Sequence, residues 1–135
     1  MKTAVIYWSG TGNTEAMANA VAEGAGAEAV AVGDFSGSVA DYDALAFGCP
    51  AMGAEVLEED EFEPFFAGIE QSLSGKKVLL FGSYGWGDGE WMRNWAERTK
   101  AAGAVLVAEE GYIVNEAPSD DDLAKLKALG AELAG

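Results

Sequence analysis

The sequence predicts an α/β fold: a three-layer, doubly wound arrangement of five parallel strands with helices on both faces. Three observations carry that expectation. Apolar runs and runs of helical period alternate five times along 135 residues, the pattern of successive strand–helix units. One run, Lys77-Val78-Leu79-Leu80-Phe81-Gly82, is apolar after its first residue, as a strand covered on both faces must be. Three loops of unusual composition, residues 9–14, 49–55 and 83–89, each follow an apolar strand. They therefore share the carboxyl edge of the sheet, where such folds bind ligands.

Taken in order, Ala4-Val5-Ile6-Tyr7-Trp8 is the first strand. It is too short for the apolar core of a signal peptide and runs into a polar loop, which implies a cytoplasmic protein. From Thr14 the period changes, and Met17 and Val21 mark an amphipathic helix ended by Gly24 and Gly26. Residues 28–32 form a weaker second strand, because alanine is a poor strand former. A turn-rich connection over 33–43 leads to a third strand over 44–48. Phe62, Phe65, Phe66 and Ile69 place a helix from about Glu61 to Leu73, closed by Ser74-Gly75. After the fourth strand, helical spacing returns through Trp91, Met92, Trp95 and Thr99 and stops at Gly103. Residues 104–108 make a fifth strand, continued through Tyr112-Ile113-Val114 after a break. Ser119 and Asp122 fit a capping box, and Leu123, Leu126, Leu129 and Leu133 stripe the last helix. Without repeats, linkers or an apolar run of membrane length, residues 1–135 read as one domain.

Composition excludes several chemistries. Histidine is absent, and Cys49 is the only cysteine. Nucleophile–histidine pairs, cysteine clusters and internal disulfides are therefore ruled out. Cys49 reads as a small apolar core residue. A net charge of −15 argues against nucleic acid and anionic membranes as partners.

The loop Ser9-Gly10-Thr11-Gly12-Asn13-Thr14 joins the first strand to a helix start. Free N–H groups of a first helical turn, glycines that admit close approach and four polar side chains make a phosphate site. No Lys or Arg occurs from residue 3 to residue 75, and Glu15 stands where a dinucleotide fingerprint needs glycine. Neither nucleoside-triphosphate nor dinucleotide loops fit. The competing reading is a plain turn with a side-chain N-cap. In the other loops, Met52 lies beside Gly53, and Trp86 sits between glycines that supply no neighbours to bury it. A planar ring carrying a phosphate accounts for all three loops.

With Ala51-Met52-Gly53 and Gly82-Ser83-Tyr84-Gly85-Trp86-Gly87-Asp88-Gly89 added to the phosphate loop, the whole chain resembles the short-chain flavodoxins of anaerobic bacteria, clostridial and Megasphaera-like. The resemblance implies the flavodoxin-like strand order 2-1-3-4-5 and non-covalent FMN. It also implies one-electron transfer at low potential, between semiquinone and hydroquinone, to redox proteins such as ferredoxin-dependent oxidoreductases. The carrier is expected as a monomer; an FMN-dependent NAD(P)H or quinone reductase on the same fold is the alternative. By the same resemblance the cofactor is surrounded by Trp8, Ser9, Gly10, Thr11, Gly12, Asn13 and Thr14, by Pro50, Ala51, Met52, Gly53, Ala54 and Glu55, and by Ser83, Tyr84, Gly85, Trp86, Gly87 and Asp88. Ser9, Thr11, Asn13 and Thr14 would hold the phosphate. Met52 and Trp86 would sandwich the ring, the Gly85 N–H would meet its pyrimidine end, and Glu55 would accept the flavin N3–H. Gly53 and Ala54 would tune the redox steps by a peptide flip.

Two positions depart from relatives. Pro50 replaces a phosphate-donating serine of some relatives, and Ala54 replaces an aspartate of a clostridial one. The β-carbon of Ala54 is expected to make the flip less favourable. Six acids between Glu55 and Glu63, with Asp88 and Glu90, form an acidic surface. They either serve the start of a helix or tune the potential and steer basic partners.

Overall fold

The computed structural model describes residues 2–53 and 55–135. Its elements are β1 (Thr3–Tyr7), α1 (Asn13–Ala25), β2 (Ala29–Ala31), β3 (Ala44–Gly48), α2 (Phe62–Ile69), β4 (Lys77–Tyr84), α3 (Glu90–Ala101), β5 (Val105–Asn115) and α4 (Asp120–Ala134). The strands form one parallel sheet, as the alternation predicts, in the order β2-β1-β3-β4-β5 that the resemblance implies. Strand order reverses between β1 and β3, and the loops after β1, β3 and β4 leave from the same edge.

Alternation along the strands distributes the core between two faces. Ile6, Leu45, Phe47, Val78 and Leu80 point to the side of α2 and α3, where Phe62, Phe66, Trp91 and Trp95 are buried. Val5, Ala44, Ala46, Leu79 and Phe81 point to the side of α1 and α4, against Met17, Ala18, Val21, Leu126 and Leu133.

Several boundaries differ from expectation for local reasons. Gly24 does not stop α1. It lies inside the helix, where a Cβ would run into the Lys127 carbonyl of α4. The stop is Gly26, at φ 69°, with the Ala27 N–H donating to the Ala22 carbonyl at 2.9 Å. The predicted second strand shrinks to Ala29–Ala31, because Val32–Asp34 turns as a 3₁₀ segment. α2 ends at Ile69 and continues as a 3₁₀ turn, Glu70–Ser72. β4 extends to Tyr84, so Ser83 and Tyr84 belong to its end rather than to a loop.

β5 runs through the predicted break. Leu79 pairs with Val107 and Phe81 with Tyr112, so residues 108–111 stand opposite Leu80 as a bulge. Ala108 and Gly111 supply its positive φ values, 62° and 80°. The Ser119–Asp122 capping box of α4 forms as predicted.

Candidate functional site

A cleft of about 250 Å³ opens at the β1/β3 switch point, and all three loops line it: Ser9, Gly10, Thr11, Asn13 and Thr14 from the first, Pro50, Ala51 and Met52 from the second, and Ser83, Tyr84 and Gly85 from the third. Its floor is the start of α1. The residue preceding that helix is Gly12, at φ 96°, and no side chain caps the first turn. The plain N-cap reading therefore fails. Ser9 Oγ instead accepts from the Gly12 N–H at 3.0 Å and shapes the loop from within. The first-turn N–H groups remain available for an anion.

Thr14 and Ser83 are buried, and their hydroxyl oxygens lie 3.2 Å apart. A hydroxyl pair uses one proton internally and keeps the other to donate outward. Ser83 is thereby joined to the phosphate loop across the switch point.

The other end of the cleft is open. Trp86 is 66% exposed, as expected of an indole flanked by glycines. Tyr84 packs on Trp91 with ring centroids 5.6 Å apart. The Trp91 indole donates to the Cys49 carbonyl at 3.1 Å, and a Cβ at Gly82 would run into that carbonyl. Cys49 itself is fully buried. Burial pushes its thiol up to about 12, although the Glu58 N–H donates to the sulfur. An unionised thiol in that position is a packing group. Gly53 has open space around its Cα and no positive φ. Ala54 lies outside the described residues.

The family model for flavodoxin matches residues 5–130. The chain belongs to the flavodoxin family. It is similar to the flavodoxin of Megasphaera elsdenii, 50% identical over 132 residues and 93% of each chain. Similarity extends to the flavodoxin of Clostridium beijerinckii, 49% identical over 83% of this chain and 86% of the other. The solution structure of two-electron reduced Megasphaera elsdenii flavodoxin superposes with a TM-score of 0.81, at 46% identity, covering 96% of this chain and 98% of that one. As a flavodoxin the chain is a low-potential FMN-dependent electron carrier, not an enzyme with its own substrate. FMN at the β1/β3 switch point of flavodoxins is itself a standard illustration of where such sheets bind ligands. The cleft fits the cofactor: an uncapped helix start forms its floor and Pro50, Ala51, Met52 and Tyr84 give it apolar walls, whereas Gly53, Glu55, Trp86, Gly87 and Asp88 are not among its lining residues.

The acidic stretch of this flavodoxin is not a uniform surface. Glu58 is buried and caps α2, its carboxylate accepting from the N–H groups of Asp60, Glu61 and Phe62, each at 2.8 Å. Glu63 grips Arg98 through two contacts of 2.7 and 2.8 Å, and Glu70 holds the same guanidinium at 2.9 Å. Glu61 accepts from the Trp8 indole at 3.2 Å. Asp88 pairs with Arg93 at 3.0 Å. Glu59, Asp60 and Glu90 remain exposed.

Trp8 also divides the cleft from a neighbouring one of about 310 Å³, lined by Tyr7, Glu15, Asp34 and Glu61. Carboxylates there oppose a phosphate, so the anion belongs on the loop side of Trp8. Sequence reasoning missed Glu116, which lines the cleft between the three loops. It follows β5 in a left-handed conformation, φ 63°, and its N–H donates to the Tyr84 carbonyl at 2.8 Å. An uninterrupted reading of β5 would have placed it at the sheet's carboxyl edge.

Proposed function

We propose that FMN lies along this cleft with its phosphate on the first turn of α1, held by Ser9, Thr11, Asn13, Thr14 and the loop N–H groups. Met52 and Trp86 flank the isoalloxazine ring, Gly85 and Glu55 meet its pyrimidine end, and Gly53 with Ala54 adjusts the redox steps. The observation that carries this reading is a cleft at the β1/β3 switch point that all three loops line, with an uncapped helix start on its floor. Bound FMN supplies one-electron chemistry; the chain supplies position, field and exclusion of water.

The partners are redox proteins, including ferredoxin-dependent oxidoreductases, that dock at this edge as one carrier molecule meets one acceptor in the cytoplasm. Val56, Trp86 and Ile113, large hydrophobics exposed among the described residues, supply apolar contact. Glu59, Asp60, Asp88 and Glu90 supply a negative rim that steers basic surfaces at rates that fall with salt. No helix among the described residues is long and apolar enough to cross a membrane.

Stepwise anaerobic reduction of the FMN-loaded protein, followed by visible absorption, tests the reading. A long-wavelength band that rises and then falls is expected from successive one-electron steps. Direct bleaching in one step, or bleaching by NAD(P)H alone, would reject the carrier in favour of a reductase.

A further inference from the structure

Glu55 has a task that accepting a hydrogen bond from the flavin N3–H does not explain. α3 starts behind Gly89, φ 92°, and no side chain of its own N-cap residue satisfies the first turn. The cap arrives from another loop. Glu55 Oε1 accepts from the Asp88 N–H at 3.0 Å and the Gly89 N–H at 3.4 Å, and Oε2 accepts from the Glu90 N–H at 3.1 Å. Backbone donors at a helix start otherwise go unpaired. The backbone of Glu55 is set for this contact: it is left-handed, φ 55°, which a β-carbon resists. The Glu55 N–H donates to the Met52 carbonyl at 2.6 Å, and the Met52 N–H donates to the Val56 carbonyl at 2.9 Å. Opposite it, Gly87 leaves the space, since a Cβ there would run into the Glu55 carboxylate.

We propose that Glu55 is a latch that fixes the Met52–Gly53 loop against the Trp86 loop, so that the slot for the ring is spaced by the protein itself. It is a positioning residue, and the proposal rests on the FMN reading of the cleft. A carboxylate can meet three N–H donors with its two oxygens, whereas an amide turns a donor of its own towards them. Latching therefore requires both the charge of Glu55 and the missing side chain of Gly87.

Amide hydrogen exchange of the FMN-free wild type, Glu55→Gln and Gly87→Ala tests this, followed by FMN titration and the potential of the first one-electron step. Both variants are expected to lose about tenfold protection at the Asp88, Gly89 and Glu90 amides, the worth of one charged hydrogen bond. Both should bind FMN about tenfold or more weakly and shift the first potential, although Gly87→Ala keeps the carboxylate. Unchanged exchange in Glu55→Gln overturns the latch. So does a Gly87→Ala protein that binds FMN like wild type while Glu55→Gln does not, because Glu55 would then act on the ligand alone. If Glu55→Gln does not fold, Glu55→Asp, one methylene too short to span the loops, takes its place. A wild-type chain that takes up no FMN overturns the cofactor reading itself, and the latch's purpose with it.

Discussion

The two faces of the sheet are packed by opposite means. On the α1/α4 face alanine is frequent among the buried residues, with Ala18, Ala20, Ala22, Ala44 and Ala46 beside larger ones such as Met17, Leu79 and Phe81. There the two helices meet backbone to backbone, since a Cβ at Gly24 would strike the Lys127 carbonyl and one at Gly130 the Val21 carbonyl. The α2/α3 face is filled by rings. Phe66 packs edge-on against Phe47 at 5.5 Å and against Trp95 at 5.7 Å, with the Arg98 guanidinium 5.0 Å from its centroid. Small residues fix an interhelical distance with no slack, while large rings supply most of the apolar area removed from water. The face that carries α1, where the phosphate is proposed to sit, is thus the one that positions, and the face behind the acidic stretch is the one that stabilises.

Phe66→Ala puts this division to its hardest test. Removing a fully buried ring costs about 3–5 kcal/mol, measured by urea unfolding of the FMN-free protein. FMN affinity should change by less than about twofold, because a factor of two is well under 1 kcal/mol and α1 keeps its seat. A large loss of affinity would show that the two layers are not mechanically separate.

Gly130→Ala reverses the pattern. Overpacking costs about 1–3 kcal/mol, partly offset by the roughly 1 kcal/mol that alanine gains over glycine in a helix. The net loss of stability is smaller than for Phe66→Ala, but the displacement falls on α1. FMN affinity should therefore drop more than in Phe66→Ala, as read by quenching of flavin fluorescence on binding. Equal affinities in the two variants would break the comparison.

How much of this was legible in the sequence follows from the range of the forces involved. Helix faces and the phosphate loop rest on local periodicity and on glycines near strand ends, so they can be read along the chain, whereas the strand order came only with the family resemblance. What could not be read depends on encounters between distant segments. Gly24 resembles a stop signal until α4 is seen to need its bare Cα. The acids from Glu55 to Glu63 look like one patch until Glu58 turns inward to cap α2 and Glu63 reaches Arg98, 35 residues away. Glu116 was hidden behind a bulge, because Glu109-Glu110-Gly111 reads as a break in the strand when Leu80 is not seen opposite it.

Glu58→Gln sharpens the contrast through pH. Burial by itself would raise the Glu58 pKa, but the N–H groups of Phe62, Glu61 and Asp60 outweigh it and bring it below the ordinary 4.5. A carboxylate with a depressed folded value stabilises the fold above its unfolded value, and that contribution fades as pH falls through the folded one. The variant should lose about 1–2 kcal/mol at neutral pH, within the range for charged hydrogen bonds. The gap to wild type should narrow below pH 4.5. A gap constant with pH would assign the capping to something other than charge. Among the described residues the α1/α4 face buries no such carboxylate, so the Gly130→Ala deficit should stay level over the same range.

Glu116→Gln gives the smallest effect and belongs to neither layer. The Glu116 carboxylate comes within 3.6 Å of the position a Cβ would take on Gly85, beside the N–H proposed to meet the pyrimidine end. A negative charge there opposes the second electron, so its removal should make the second potential less negative. One charge about 10 Å away at an effective dielectric of about 20 is worth about 1.7 kcal/mol, or roughly 70 mV for one electron before screening. Solvent at the open end reduces this to a few tens of mV. Repeating the titration at high salt separates field from shape. A Coulombic shift shrinks as the Debye length falls from about 10 Å at 0.1 M to about 3 Å at 1 M. A shift that persists would instead mean that the left-handed turn at Glu116 acts by holding Tyr84 and Gly85 in place.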